Sequence, residues 1–444
     1  MKELGTREGE IGLAMGARLR ATGSERHCAR SRPRSLPQSG RYRSGACATV
    51  GSFGGLLGTL RTPCCAVSRR MLSRILLSLA ASFLVAPLLA AAETVSPVSM
   101  PAPVQLPAHD PYFSYMGRCA FDGAGAAALG FPGVTIRFVY RGPAPTILFT
   151  AASSYCAFNL SVNGWEPVAV RLPEGPSEIA LPSGVAPAEG WLVELVRRNE
   201  AWQGVATLRG VRLPPGCELR PVPALPKRKL MFIGDSMTGG ERLDRMPPEN
   251  DDTPRTANAS RAFGMLLGRW LEAQVHLVSY GGRGVMRDWQ GKTDTGTAPE
   301  FFERTLPDDA RSRWDHRAYV PDAVVICLGQ NDLNSGLIDE AIFTAAYERF
   351  VARVHQVYPK AGLVLSESPL QGDAPNSPDL PKRALLRRCI ETIVARQRAA
   401  GNSRIVVAPQ CKQPGTAVEG HPVAFQHEQI ALQLLGPLKQ VTGW

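Results

Sequence analysis

Two hydrophobic periods run along this chain, and one gives way to the other near residue 225. Between residues 113 and 225 apolar and polar positions alternate: Val134, Ile136, Phe138 and Tyr140 enclose Thr135 and Arg137, and Cys156, Phe158, Leu160 and Val162 enclose Asn159 and Ser161. Successive side chains of a strand point to opposite faces, so this alternation predicts half-buried strands. Asn163-Gly164 tolerates the left-handed backbone of a tight hairpin and leads into Val168, Val170 and Leu172. Trp191 to Val196 and Ala206 to Leu213 fit two further strands. Short strands at hairpin spacing, with no helical stretch between them, predict an antiparallel β-sandwich over residues 113–225.

Pro221 to Lys229, with three prolines and three basic residues, reads as a linker, and beyond it the period changes. Leu230 to Ile233 is a fully apolar run, and Phe263, Leu266, Leu267, Trp270 and Leu271 recur at helical spacing before a second run, Val275 to Val278. The alternation continues through strand Ala323 to Leu328, helix Asp339 to Val357, strand Leu363 to Leu365, helix Leu380 to Ala400, strand Ile405 to Ala408 and helix Val423 to Leu435. Buried strands separated by amphipathic helices predict an α/β domain, a doubly wound parallel sheet, over residues 226–444. Such sheets bind ligands beyond the carboxyl ends of their strands, just past Ile233, Val278, Leu328 and Ala408.

Those ends are rich in chemistry. Gly234-Asp235-Ser236-Met237-Thr238 places a serine on a sharp strand-to-helix turn, where a hydroxyl is presented at the sheet edge beside free helix N–H groups. A serine that merely caps the helix is the alternative. The nucleophile elbow G-x-S-x-G is not matched, because Thr238 replaces its second glycine. The second strand is followed by Ser279-Tyr280-Gly281-Gly282-Arg283-Gly284 and the third by Gly329-Gln330-Asn331-Asp332. A glycine N–H and an asparagine amide are neutral donors suited to a developing oxyanion. Past the last strand stands Glu419-Gly420-His421-Pro422, and His421 is a candidate general base for Ser236.

Ser236, Gly282, Asn331 and His421 thus lie in order, each just past a strand of one inferred sheet. In this the sequence resembles the SGNH (GDSL-like) hydrolases. The sandwich ahead of that domain, its closing segment Val196-Arg197-Arg198-Asn199-Glu200 and Gly210 to Leu213, then Phe232-Ile233-Gly234-Asp235-Ser236, Trp314-Asp315 and Leu328 to Asp332, resembles carbohydrate esterase family 2. The resemblance covers nearly all of residues 110–440. It implies a jelly-roll-like sandwich, an SGNH-type catalytic domain, and an enzyme similar to acetylxylan esterases that remove O-acetyl groups from polysaccharides. It assigns Ser236 as nucleophile, His421 as base, and the Ser236 and Gly282 amides with the Asn331 side chain as oxyanion hole. The block usually carries Asp three residues before the histidine, but Val418 stands there. In the closer family the acid, where present, sits two before it, at Glu419 here. Either Glu419 or a backbone carbonyl orients His421. Trp289 and Trp314 are candidate sugar-stacking residues, with core packing as the alternative.

Composition narrows the partners. The formal charge is +11, yet residues 1–70 carry thirteen basic and four acidic side chains, and residues 93–444 carry 36 basic against 35 acidic. The near-neutral remainder offers nothing to nucleic acid. Met71 opens a short apolar run closed by Ala90-Ala91-Ala92, which reads as a signal peptide over residues 71–92, shorter than the roughly 20 apolar residues of a membrane anchor. A secreted or periplasmic protein with no stable membrane anchor is expected, with residues 1–70 a mis-assigned, disordered extension and residues 93–112 a linker. Six of the ten cysteines lie beyond the signal. Cys119 with Cys156 is one conceivable disulfide, and Cys327 and Cys389 read as buried hydrophobes. No Cys or His spacing suits a metal, and the chemistry needs no metal or organic cofactor. An esterase for another acylated glycan, and an inactive carbohydrate-binding protein, are the alternatives to polysaccharide deacetylation.

Overall fold

The computed structural model describes residues 102–181, 187, 189–245, 255–371, 380–416 and 420–444. The extension, the signal peptide, the first part of the linker, the cysteines they contain and Glu419 lie outside the described residues.

The first half is built from twelve short strands: β1 (Val104–Leu106), β2 (Ser114–Met116), β3 (Cys119–Phe121), β4 (Ala127–Leu129), β5 (Thr135–Arg141), β6 (Thr146–Ala151), β7 (Ala157–Val162), β8 (Val168–Arg171), β9 (Gly175–Ala180), β10 (Trp191–Arg197), β11 (Ala206–Leu213) and β12 (Glu218–Arg220). One antiparallel sheet has the order β3-β4-β11-β6-β9, with β1 also on β11; the other has the order β12-β5-β10-β7-β8, with β2 also on β5. Alternation does the sorting. In β10, Trp191, Val193 and Leu195 are buried and the residues between them are not, so one face meets the facing sheet. The Phe149 and Phe158 rings, one from each sheet, approach to 4.9 Å at that interface. Strand β1 falls in the stretch read as linker, where it pairs Val104 with Leu213. Its three residues are too few for a period to be visible.

The second half holds a five-stranded parallel sheet: β13 (Arg228–Gly234), β14 (Ala273–Ser279), β15 (Ala323–Cys327), β16 (Gly362–Ser366) and β17 (Ile405–Ala408), in the order β14-β13-β15-β16-β17. Its helices are α1 (Ser236–Gly239), α2 (Phe263–Trp270), α3 (Ala298–Phe302), α4 (Glu340–Val357), α5 (Leu380–Ala399) and α6 (Ala424–Thr442). Leu230 and Phe232 face the core shared with α2 and α6, while Met231 and Ile233 face the core shared with α4, α5 and the sandwich. The chain winds outward in both directions from β13, so the ends of β13 and β15 form the crevice at the topological switch point.

Helix α6 runs seven residues past the predicted Leu435, with Pro437 inside it. Proline removes one ladder hydrogen bond, but Ile430, Leu434, Leu438 and Val441 form one buried stripe against the sheet, and that packing carries the helix through. The disulfide suggestion is also corrected: all six described cysteines are free thiols. Cys156 is buried with its Sγ toward the Gly204 carbonyl at 3.7 Å, and Cys119 is on edge strand β3 opposite Leu129. Cys327 and Cys389 are buried as expected. Among the described residues, no helix is long and apolar enough to cross a membrane.

Candidate active site

Strand β13 ends at Gly234 because the chain folds back on itself there: a Cβ on Gly234 would lie 2.0 Å from Thr238 Oγ1. Asp235 follows and caps α1, its Oδ1 accepting from the Met237 amide at 3.1 Å. The serine is therefore not the cap. Its hydroxyl faces the cleft, with Ser236 Oγ 2.9 Å from His421 Nε2. A proton on Nδ1 leaves Nε2 as the acceptor for the serine O–H. The chain brings these two groups together across 185 residues.

After β14, Gly282 has φ +78°, which side chains other than glycine rarely adopt, and a Cβ there would meet Trp289 Cδ1 at 2.8 Å. The following turn is held by Asp332, fully buried, which accepts from the amides of Val285 (2.9 Å), Met286 (2.7 Å) and Arg287 (3.2 Å). The loops after β14 and β15 are thereby locked to each other. Burial pushes the Asp332 carboxyl up, although three amides oppose the shift.

Asn331 is placed by the same lock. Its Nδ2 lies 3.0 Å from Asp235 Oδ2 and 3.0 Å from the Arg283 carbonyl. Two acceptors facing one atom require that atom to be the amide nitrogen, so the orientation follows from chemistry. Both amide protons are engaged, so donation to an oxyanion requires one of those bonds to be exchanged. Among the described residues no acceptor stands on the Ser236 or Gly282 amide. Burial pushes the Asp235 carboxyl up to about 7, against the opposing pull of the Met237 amide and of His421.

A cleft of about 740 Å³ opens over Ser236 and His421. Trp289 and Trp202 line it, 51% and 40% exposed, as do Gly282, Asn331 and charged side chains that include Glu241, Arg242 and Arg283. Ser236, His421, Gly282, Asn331 and Trp289 are thus brought together. Trp314 is not: it packs at the edge of the core, beneath the buried Arg118 guanidinium at 4.9 Å and edge-on to His276. The reading of Trp314 as a sugar platform is corrected to packing. Among the described residues, no three His, Cys, Asp or Glu side chains are grouped to hold a metal.

Sequence reasoning missed two contributions from the sandwich. Glu200 is fully buried yet its Oε2 accepts from the Gly281 amide at 3.0 Å, and Trp202, two residues on, forms a wall of the cleft. The signal available was a run of four polar residues, Arg197 to Glu200, directly after an apolar strand.

Comparison with known proteins finds relatives of both halves of the chain. The GDSL-like Lipase/Acylhydrolase family matches residues 232–422, and the Carbohydrate esterase 2 N-terminal family matches residues 115–223. An acetylxylan esterase / glucomannan deacetylase of Cellvibrio japonicus is 34% identical over 339 residues, covering 76% of this chain and 91% of its own. The solved structure of a family two carbohydrate esterase from Cellvibrio japonicus has a TM-score of 0.70 at 32% identity, covering 77% of this chain and 99% of that one. A family two carbohydrate esterase from Clostridium thermocellum, solved in complex with cellohexaose, shares the fold with a TM-score of 0.67 at 24% identity, covering 75% of this chain and 99% of that one. With relatives that match both the sandwich and the parallel-sheet domain, the chain belongs to carbohydrate esterase family 2 and is a carboxylic ester hydrolase.

Proposed function

We propose that the protein is a secreted serine esterase that removes O-acetyl groups from a polysaccharide of the xylan or glucomannan kind. The observation that carries this reading is the 2.9 Å contact between Ser236 Oγ and His421 Nε2 at the floor of an open cleft. The name of the Cellvibrio japonicus relative supports the substrate class.

His421 Nε2 takes the Ser236 proton as Oγ attacks the acetyl carbonyl carbon. The negative charge that develops on the carbonyl oxygen is met by the Ser236 and Gly282 amides and by Asn331 Nδ2, which gives up its bond to the Arg283 carbonyl. The tetrahedral intermediate collapses, His421 returns the proton to the departing sugar oxygen, and acetyl-Ser236 remains. A water molecule, deprotonated by His421, attacks that ester, and acetate is released as His421 returns the proton to Ser236 Oγ. The scheme uses no metal and no organic cofactor. Trp289 and Trp202 offer flat apolar faces on which pyranose rings can lie.

Rapid quenching during turnover of a small acetyl ester, followed by mass analysis, tests this. One acetyl group is expected on the peptide that contains Ser236. Acetate formed with that peptide unmodified at every quench time would contradict the covalent scheme.

The partner of His421 Nδ1 is proposed to be Glu419, two residues before it. Glu419→Ala is expected to lower kcat about 10³- to 10⁴-fold, as loss of the orienting acid does in a triad, with KM little changed. A change below about threefold would assign the orienting role to a backbone carbonyl and make the enzyme a Ser-His dyad.

A further inference from the structure

We infer that Glu200, on the sandwich, is a positioning residue for the reaction: its carboxyl fixes the Gly281-Gly282 turn so that the Gly282 amide faces the oxyanion. This rests on the oxyanion role proposed above for Gly282.

Four consecutive residues anchor the segment that carries Glu200. Arg197 is fully buried and donates to the carbonyls of Leu129, Glu200 (3.1 Å) and Gly204 (2.6 Å). Arg198 donates to Asn159 Oδ1 and to Asp244 Oδ2, each at 2.6 Å. Asn199 Oδ1 accepts from the Ala157 amide at 3.1 Å, and the Glu200 amide donates to Gln203 Oε1 at 2.9 Å. The backbone of this loop is therefore fixed on both sides, by the sandwich through Leu129, Ala157 and Asn159 and by the catalytic domain through Asp244.

The carboxyl then enters a space made for it. A Cβ on Gly239 would lie 1.6 Å from Glu200 Oε1, so glycine at this point of α1 leaves the room that the carboxyl fills. Oε2 takes the Gly281 N–H, while Oε1 has no hydrogen-bond partner among the described residues. Burial, with Glu241 close by, holds the carboxyl well above the usual carboxylate range. The oxygen of a glutamine amide could accept the same Gly281 N–H.

The placement matters because the two glycines have no conformational preference of their own. The turn is pinned from outside at both ends: the Gly281 N–H by Glu200, and the Gly282 carbonyl by the Trp289 amide at 2.9 Å. The Gly282 N–H lies between these two bonds. Releasing the first lets the intervening peptide rotate, and a donor displaced by about 1 Å costs on the order of 100-fold in rate.

The test is the hydrolysis of p-nitrophenyl acetate by the full-length protein and its Glu200→Ala, Glu200→Gln and Ser236→Ala variants, each checked by thermal unfolding. Glu200→Ala is expected to lose about 100-fold in kcat with KM within about threefold, a transition-state effect. Glu200→Gln is expected to come within about fivefold of wild type, because its amide oxygen still accepts the Gly281 N–H. Should Glu200→Ala fail to fold, Glu200→Met keeps the volume without a strong acceptor and is expected to show the same kcat loss. A folded Ala or Met variant with kcat within about threefold of wild type, a loss confined to KM, or a Gln variant as impaired as the Ala variant would overturn the inference. Ser236→Ala separates the two layers: activity in that variant refutes the esterase mechanism itself, whatever Glu200 does.

Discussion

Ser236→Ala is expected to lower kcat for acetyl ester hydrolysis by about 10⁶-fold, the scale seen when a serine nucleophile is removed from a working triad. The fold should not notice. Asp235, not Ser236, caps α1 through its bond to the Met237 amide, and the serine hydroxyl bonds His421 across the cleft. Its loss breaks no contact on which the turn depends. Thermal unfolding of the variant should therefore coincide with wild type while kcat collapses. Hydrolysis of p-nitrophenyl acetate, measured on enzyme purified away from host esterases, gives the answer. A variant that keeps activity within about tenfold of wild type would remove Ser236 from the chemistry.

Asn331→Ala is the second large effect, and it has two components. Removing one oxyanion donor costs about 10²- to 10³-fold in kcat. Unlike the serine, Asn331 also holds the structure together, since its Nδ2 satisfies Asp235 Oδ2 and the Arg283 carbonyl, each at 3.0 Å. Leaving buried acceptors unpaired costs about 1–3 kcal/mol, so this variant should also unfold at a lower temperature. Asn331→Asp should be worse than alanine, because it sets a carboxyl oxygen against the Asp235 carboxyl. Steady-state kinetics with thermal unfolding on both variants separates the components. A kcat for Asn331→Ala within about threefold of wild type would show that the two backbone amides suffice.

The parts of this site that are legible in the sequence share one property: they interrupt apolar strands. Ile233 and Leu328 end uninterrupted hydrophobic runs, Val278 ends one broken only by His276, and glycines with polar residues follow, so the ends of a parallel sheet and the groups displayed there can be placed without coordinates. Trp314 misleads for the reason that makes any tryptophan ambiguous: its ring suits a sugar face and a guanidinium equally well, and here Arg118 occupies it. Glu200 and Trp202 escape a sequence-based assignment because their partners are far away along the chain, 81 residues for the Glu200 to Gly281 bond, and the polar run Arg197 to Glu200 marks an unusual loop without saying which domain it enters. The three-residue strands β1 to β4 escape it because a period of two needs more residues to declare itself. In helix α6, local propensity argues for a stop at Gly436-Pro437 and a buried stripe argues for continuation. The stripe prevails.

The residues assembled around Ser236 make sense as the machinery of a deacetylase only if an acetylated glycan is what enters the cleft. The most direct measurement is acetate release from acetylated xylan and acetylated glucomannan by the wild-type protein, beside Ser236→Ala under the same conditions. Steady release by wild type from at least one of the two polymers, and none above background from the variant, is the expected result. Turnover of p-nitrophenyl acetate with no acetate released from either polymer would contradict the deacetylase reading and point to a different acylated glycan. Release that persists in Ser236→Ala would contradict the mechanism as well.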